Sequence, residues 1–161
     1  MKRILTAILS LIIALSVLTS CERRVDPEKI LRDFCTTYGI EAAIYSSGAK
    51  EGENGFADAE FLPMLLAGRT DEICDFAVAF CSTLDGYFEV GILACKTAYG
   101  ANEVSLACLE RIELVKVICN QSDITVSEGA FVARYGNSVV YSMATDNERA
   151  RRLLDAHFSG M

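Results

Sequence analysis

The Asp85-Gly86 dipeptide, set between two apolar runs, limits this chain more than any other feature. Both residue types tolerate positive φ, so the pair is a strong hairpin signal. Before it, residues 76–83 alternate Phe76, Val78 and Phe80 with Ala77, Ala79 and Cys81. After it, residues 87–95 read as a return strand, with Phe88, Val90, Ile92 and Ala94 on one face. A long helix is expected over 101–119. Val104, Cys108, Ile112, Val115 and Cys119 form its inner stripe, and Glu103, Glu110, Arg111, Glu113 and Lys116 lie largely away from it. The same order then repeats. Residues 130–135 and 138–143 flank Gly136-Asn137 as a second hairpin, and Thr145-Asp146-Asn147-Glu148 has the form of a capping box. A last helix comes next, with Ala150, Leu153, Leu154 and Phe158 inward. Short hairpins favour an antiparallel sheet with helices gathered on one face. The expected fold is therefore α+β. It is a two-layer sandwich, an antiparallel four-stranded sheet with strand-strand-helix twice, preceded by a small helical N-terminal segment.

That segment covers residues 27–68. Asp26-Pro27-Glu28 is a helix start: Asp caps, Pro is pre-set for the first helical position, and Glu favours the positive end. Ile30, Leu31, Phe34, Cys35 and Tyr38 fall at helical spacing, and Gly39 ends the run. Residues 40–45 are expected to be extended. Residues 46–55 carry Gly48, Gly52, Gly55 and Asn54, so they form either a loop or a small hairpin. A short helix over 58–66 turns Phe61, Leu62 and Leu65 inward and is closed by Gly68. Residues 27–68 and 70–158 are expected to pack as one globular unit, long enough to bury a core.

One sheet face is unusual. Ala77, Ala79, Cys81, Gly91 and Cys95 are small, with Glu89 and Leu93 among them. A face that met water would be polar. Either residues 27–66 lie across it, closely approached because the side chains are small, or it is a flat docking surface with Glu89 as its one charge. The candidate binding face is thus Ala77, Ala79, Cys81, Glu89, Gly91 and Leu93.

The N-terminus carries an address. Lys2 and Arg3 precede an apolar run from Ile4 to Leu18, then Leu-Thr-Ser-Cys at 18–21. The charged start and short apolar core have the signature of a secretory signal, too short for an ordinary membrane span. The last four residues resemble a bacterial lipobox. That resemblance implies a signal over 1–20, a lipid on Cys21, and a short polar tether over 21–26. Acyl chains gain about 0.8 kcal/mol per buried CH₂, which holds a small domain at a membrane.

Charge narrows the partners. The chain has 15 Lys and Arg against 22 Asp and Glu, a net −7. Residues 1–20 hold two of the basic residues and none of the acidic ones, so the remainder carries −9. Such a domain is repelled by nucleic-acid phosphates. Six cysteines lie beyond Cys21: Cys35, Cys74, Cys81, Cys95, Cys108 and Cys119. None forms a C-x-x-C pair and most sit in apolar patterns, so free buried thiols are expected. Disulfides are the alternative that an even count outside a cell allows.

Few catalytic parts are present. His157, the one histidine, falls in the last turn of the last helix, where it complements the helix dipole. No His–Cys cluster offers a zinc site, and no Walker loop or dinucleotide fingerprint is present. No cofactor or metal is expected. Glu51, Glu53, Asp58 and Glu60 cluster about the Gly-rich loop as solvated acids, and Arg149, Arg151 and Arg152 as a solvated basic face. Trp is absent, which leaves Tyr87, Tyr99 and Tyr135 as exposed but scattered aromatics.

Residues 88–96, Phe-Glu-Val-Gly-Ile-Leu-Ala-Cys-Lys, resemble the acidic–apolar strand ending in Lys of a lipoprotein family described as domain of unknown function 4358. The family occurs in clostridia and related Gram-positive bacteria. Glu110-Arg111-Ile112 and the hairpin at 135–140 are similar to the helix and hairpin C-terminal to that strand in the family, and the likeness covers roughly residues 60–158. The resemblance implies an exported, lipid-anchored α+β domain and brings no activity or catalytic residues. The expectation is a non-enzymatic envelope lipoprotein on the extracytoplasmic face of the cell membrane, binding a protein or cell-wall partner. The alternatives are an accessory small-ligand binder and, third, a thiol-redox enzyme.

Overall fold

The computed structural model describes residues 25–83, 86–122, 124 and 126–159. The expected signal, Cys21 and the first part of the tether lie outside these residues. In chain order the elements are α1 (Pro27–Tyr38), β1 (Ala43–Ser46), α2 (Phe61–Leu65), β2 (Ile73–Thr83), β3 (Gly86–Cys95), α3 (Ala98–Gln121), β4 (Phe131–Tyr135), β5 (Ser138–Met143) and α4 (Asn147–Phe158). The strands form one sheet in the order β1-β2-β3-β5-β4, every neighbouring pair antiparallel. The class is α+β. The sheet has five strands rather than four, because residues 43–46 pair with β2 from Ala43↔Phe80 to Ser46↔Ala77. Without β1 the long β2 would expose a row of unpaired backbone groups.

Local chemistry sets the element ends. Asp26 caps α1 by accepting from Lys29 N, Pro27 holds the first helical position, and Gly39 closes the helix at φ 79°. The second hairpin turns at Gly136, φ 60°, between the paired Tyr135 and Ser138. A positive φ at the first central position and not the second is the type II′ pattern. The expected capping box of α4 does not form. Asp146, not Thr145, is the N-cap and accepts from Arg149 N. Tertiary contact takes Thr145 instead, whose hydroxyl lies 2.9 Å from that of Tyr38 on α1.

The two-layer expectation is overturned. Helices cover both faces of the sheet. On one face α1 and α4 supply Leu31, Phe34, Ala150, Leu154 and Phe158, packed with Phe88, Val90, Ile92 and Val140. On the other α3 supplies Val104, Cys108, Ile112, Val115 and Cys119, packed with Val78, Leu93, Val139, Tyr141 and Met143, with α2 beside it. The two strand-strand-helix units therefore send their helices to opposite sides. The runs Phe88–Cys95 and Ser138–Met143 are largely apolar on both faces, with Glu89, Ser138 and Ser142 as their buried polar members, as suits strands buried on both faces.

The grouping of the small residues is also corrected. The expected turn at Asp85-Gly86 is corrected, since Gly86 is already the first residue of β3 and pairs with Thr83. This register sets odd-numbered residues opposite even-numbered ones, here Ala77↔Ile92, Ala79↔Val90 and Cys81↔Phe88. Directly paired residues share a face. So Ala77, Ala79 and Cys81 lie with Phe88, Val90 and Ile92 under α1 and α4. Glu89, Gly91 and Leu93 lie on the opposite face, under α3. The six candidate residues do not form one surface. Ala77, Ala79, Glu89 and Leu93 are fully buried, Gly91 is buried, and Cys81 is half-buried.

Candidate functional site

Glu89 is the most heavily bonded side chain of the α3 face. It has no exposed surface. Strand alternation aims it at α3, as it does Tyr87 two residues earlier. Arg111, expected to lie away from the inner stripe of its helix, reaches back to it. Its Nε donates to Glu89 Oε1 at 3.1 Å and its Nη2 to Oε2 at 2.8 Å. The planar guanidinium fork matches a carboxylate in this two-point way. Tyr141 donates to Oε1 at 2.7 Å, and the Tyr87 hydroxyl donates to Oε2. Gly91 makes room for this. It pairs with Tyr141 on β5, and a Cβ added to it would stand 2.1 Å from Tyr141 Cε1.

The electrostatics follow from burial. Burial pushes the Tyr141 phenol far up, and the nearby Glu89 carboxylate adds to the effect. Tyr87 is raised first by burial and then by Glu89 as well. For Arg111, burial disfavours the charge, but bonding and attraction to Glu89 outweigh it, so its guanidinium stays charged. Both oxygens of Glu89 are thus taken by two donors each. A carboxylate so engaged has no free site for a substrate proton, so the cluster ties α3 to the sheet and offers no acid–base chemistry.

The other candidates are dispersed. His157 is half-exposed at the end of α4. Arg149 lies over the Tyr38 ring and Arg151 over the Phe131 ring at 4.1 Å, so two of the three expected solvated arginines act as ring covers. Tyr135 stacks on Phe158 with centroids 4.3 Å apart, and Tyr87 is half-buried, which leaves Tyr99 as the exposed member of the expected aromatic set. Among the described residues, no group of three or more His, Cys, Asp or Glu could hold a metal ion. Among the described residues the six cysteines are free. Cys35, Cys95, Cys108 and Cys119 are buried as expected, Cys81 is half-buried, and Cys74 is exposed. Burial raises Cys35 and Cys95 to about 11. A shallow depression of about 620 Å³ lies at the start of α4, between Glu128, Asp146, Glu148 and Arg151. Two of its polar side chains are already engaged: Asp146 caps the helix, and Asn147 bonds Ser142, Ala144 N and Glu128 O.

Sequence reasoning misses the outer face of α3. Tyr99, Leu106, Leu109, Leu114, Val117 and Ile118 point away from the sheet and are between 48% and 72% exposed. Glu103, Glu110 and Glu113 run among them, Glu110 paired with Arg69 and Glu113 with Lys116. The signal is present as an excess of Leu, Val and Ile beyond the inner stripe. No described helix is long and apolar enough to cross a membrane. Compared with protein-family models, with curated proteins and with solved structures, the chain finds no match in any of the three.

Proposed function

We propose that this chain is an exported, lipid-anchored envelope lipoprotein whose domain is a non-enzymatic, protein-binding module, docking its partner on the outer face of α3. The observation that carries the docking reading is the row of six exposed apolar side chains on a helix whose inner stripe is already satisfied. Large contiguous apolar patches on a folded domain mark interaction sites. The acids along the row set the partner's chemistry. A second copy would bring Glu103, Glu110 and Glu113 against their own kind, and an anionic lipid surface would repel them. An amphipathic segment with apolar anchors flanked by Lys or Arg satisfies both features. The existing pairs with Arg69 and Lys116 are exposed and worth about 0.2–1 kcal/mol each, so a partner's cations displace them readily. The export and anchoring reading rests on residues 1–21 and the lipobox-like 18–21.

Two experiments test this. A photo-crosslinking residue is placed at Leu109 or Val117, with Arg152 on α4 as the control, in the whole chain in its membrane. A protein adduct is expected at 109 and 117, absent at 152, and lost on Leu106→Glu. An adduct of twice the chain's own mass, lipid adducts alone, or no adduct would each reject the docking reading. For anchoring, the mature N-terminus should be an acylated Cys21, and Cys21→Ala should abolish detergent partitioning. A mature chain starting elsewhere without acyl mass would reject it.

A further inference from the structure

We propose that Cys74 and Cys95 form a redox-modification site, a cross-strand dithiol that low-molecular-weight disulfides convert to an intramolecular disulfide. The proposal does not depend on the docking reading.

The placement comes from the hairpin register. From Thr83↔Gly86 back to Asp75↔Ala94, β2 and β3 pair without interruption, and one further step in that register would set Cys74 opposite Cys95. There the register shifts, and Ile73 rather than Cys74 is the register partner of Cys95. Cys74 is thus the extra residue of a β-bulge, in which two residues of one strand stand opposite one of the other. Directly opposed antiparallel residues, here Ile73 and Cys95, have Cα atoms about 4.5–5.5 Å apart. Cys74 is the next residue along β2 and shares that partner across the bulge, which sets it near the window of about 4.4–6.8 Å that a disulfide spans.

The direction of the Cys74 side chain agrees. Its thiol donates to the carbonyl of Ala94, the residue beside Cys95, at 3.3 Å, so the sulfur points across the gap to β3. After burial, the Cys74 thiol is the next largest cause of the raised Cys95 value, which places the two groups within electrostatic reach. Their exposures differ in a useful way. Cys74 is exposed, whereas Cys95 is 5% exposed beneath α3. An external disulfide therefore meets Cys74 first.

The chemistry is two thiol–disulfide exchanges. The Cys74 thiolate attacks one sulfur of the external disulfide. A mixed disulfide forms, the external S–S bond breaks, and one thiolate leaves and takes up the proton that Cys74 released. Cys95 then gives up its proton and attacks the Cys74 sulfur. The protein S–S bond forms and the second external thiolate leaves, taking up that proton. Two protein thiols lose two electrons and two protons, and one external disulfide becomes two thiols. The second step needs the Cys95 thiolate, which burial disfavours, so it quickens as pH rises.

The test treats the purified full chain with graded ratios of oxidised to reduced glutathione, then quenches with acid and maps peptides without reductant. The expected product links the Cys74 and Cys95 peptides with loss of two hydrogen atoms. In Cys74→Ser, Cys95 should remain a thiol. In Cys95→Ala, Cys74 should keep a glutathione adduct that the wild type resolves. Cys74 is exposed, so its substitution leaves the core intact and the test readable. A wild-type adduct as persistent as that of Cys95→Ala, a Cys95–Cys108 bridge, or Cys74 bridging two chains would each overturn the proposal.

Discussion

Substituting Arg111 tests the central claim about the α3 face, that Glu89 is a buried charge held by its donors. Arg111→Met keeps most of the side-chain volume and removes the fork. Glu89, with no exposed surface, keeps only Tyr87 and Tyr141. Breaking a buried pair by removing one partner costs about 3–5 kcal/mol. For a domain of this size that lowers Tm by about 10–20 °C. Removing the whole cluster should cost less. In Glu89→Leu/Arg111→Met no charge is left behind, but the Tyr141 hydroxyl loses its acceptor, worth about 1–3 kcal/mol. Adding Tyr141→Phe removes that group, so the triple variant should return to within about 2 kcal/mol of wild type. Tyr87 is half-buried and can turn toward water. Urea unfolding followed by circular dichroism reads all three, with an unchanged slope as the check that only stability moved. If Arg111→Met costs under about 1 kcal/mol, or if the Glu89 and Arg111 changes simply add, the pair is not desolvated and the reasoning fails.

Single contacts carry further expectations. Gly91→Ala sets a methyl 2.1 Å from Tyr141 Cε1, and should cost about 1–3 kcal/mol in a thermal melt, partly recovered by Tyr141→Leu. A melt equal to wild type would show that the ring moves freely. Ala79→Arg forces a charge into a fully buried position under α1 and should sharply lower the melting midpoint, whereas an unchanged midpoint would mean that this face is open. Stability should also fall in alkali. Cys35 and Cys95 stand at about 11 in the fold against an ordinary 9.0, and Tyr87 and Tyr141 are raised as well. The unfolded chain releases these protons first and so binds fewer, and stability declines between pH 9.0 and about 11. Flat urea midpoints across that window would contradict the burial of these groups.

Local chemistry is legible in the sequence, because it acts within a few residues. Asp26-Pro27 and Gly39 bound α1, Gly136-Asn137 makes the second hairpin, and the inner stripes of α1 and α3 fall on the residues that the fold buries. Most of the long-range arrangement comes from packing alone. The two-residue hairpin loop could have shown that Ala77 and Ala79 share a face with Val90 and Ile92, since its parity is fixed by counting. No short-range rule states which side of the sheet α3 takes. That side is set by two strands largely apolar on both faces, each face needing a helix. Arg111 shows the same limit. Its position on the α3 wheel suggests solvent, yet its long side chain reaches back over the helix to a carboxylate that burial would otherwise leave uncompensated. The register shift between Ile73 and Asp75, which brings Cys74 beside the Ile73↔Cys95 pair, is announced by no residue type. Residue order alone thus sets where this chain turns and what each element buries. Which buried groups meet is settled by the assembled fold, because a buried charge or thiol takes its character from neighbours distant along the chain.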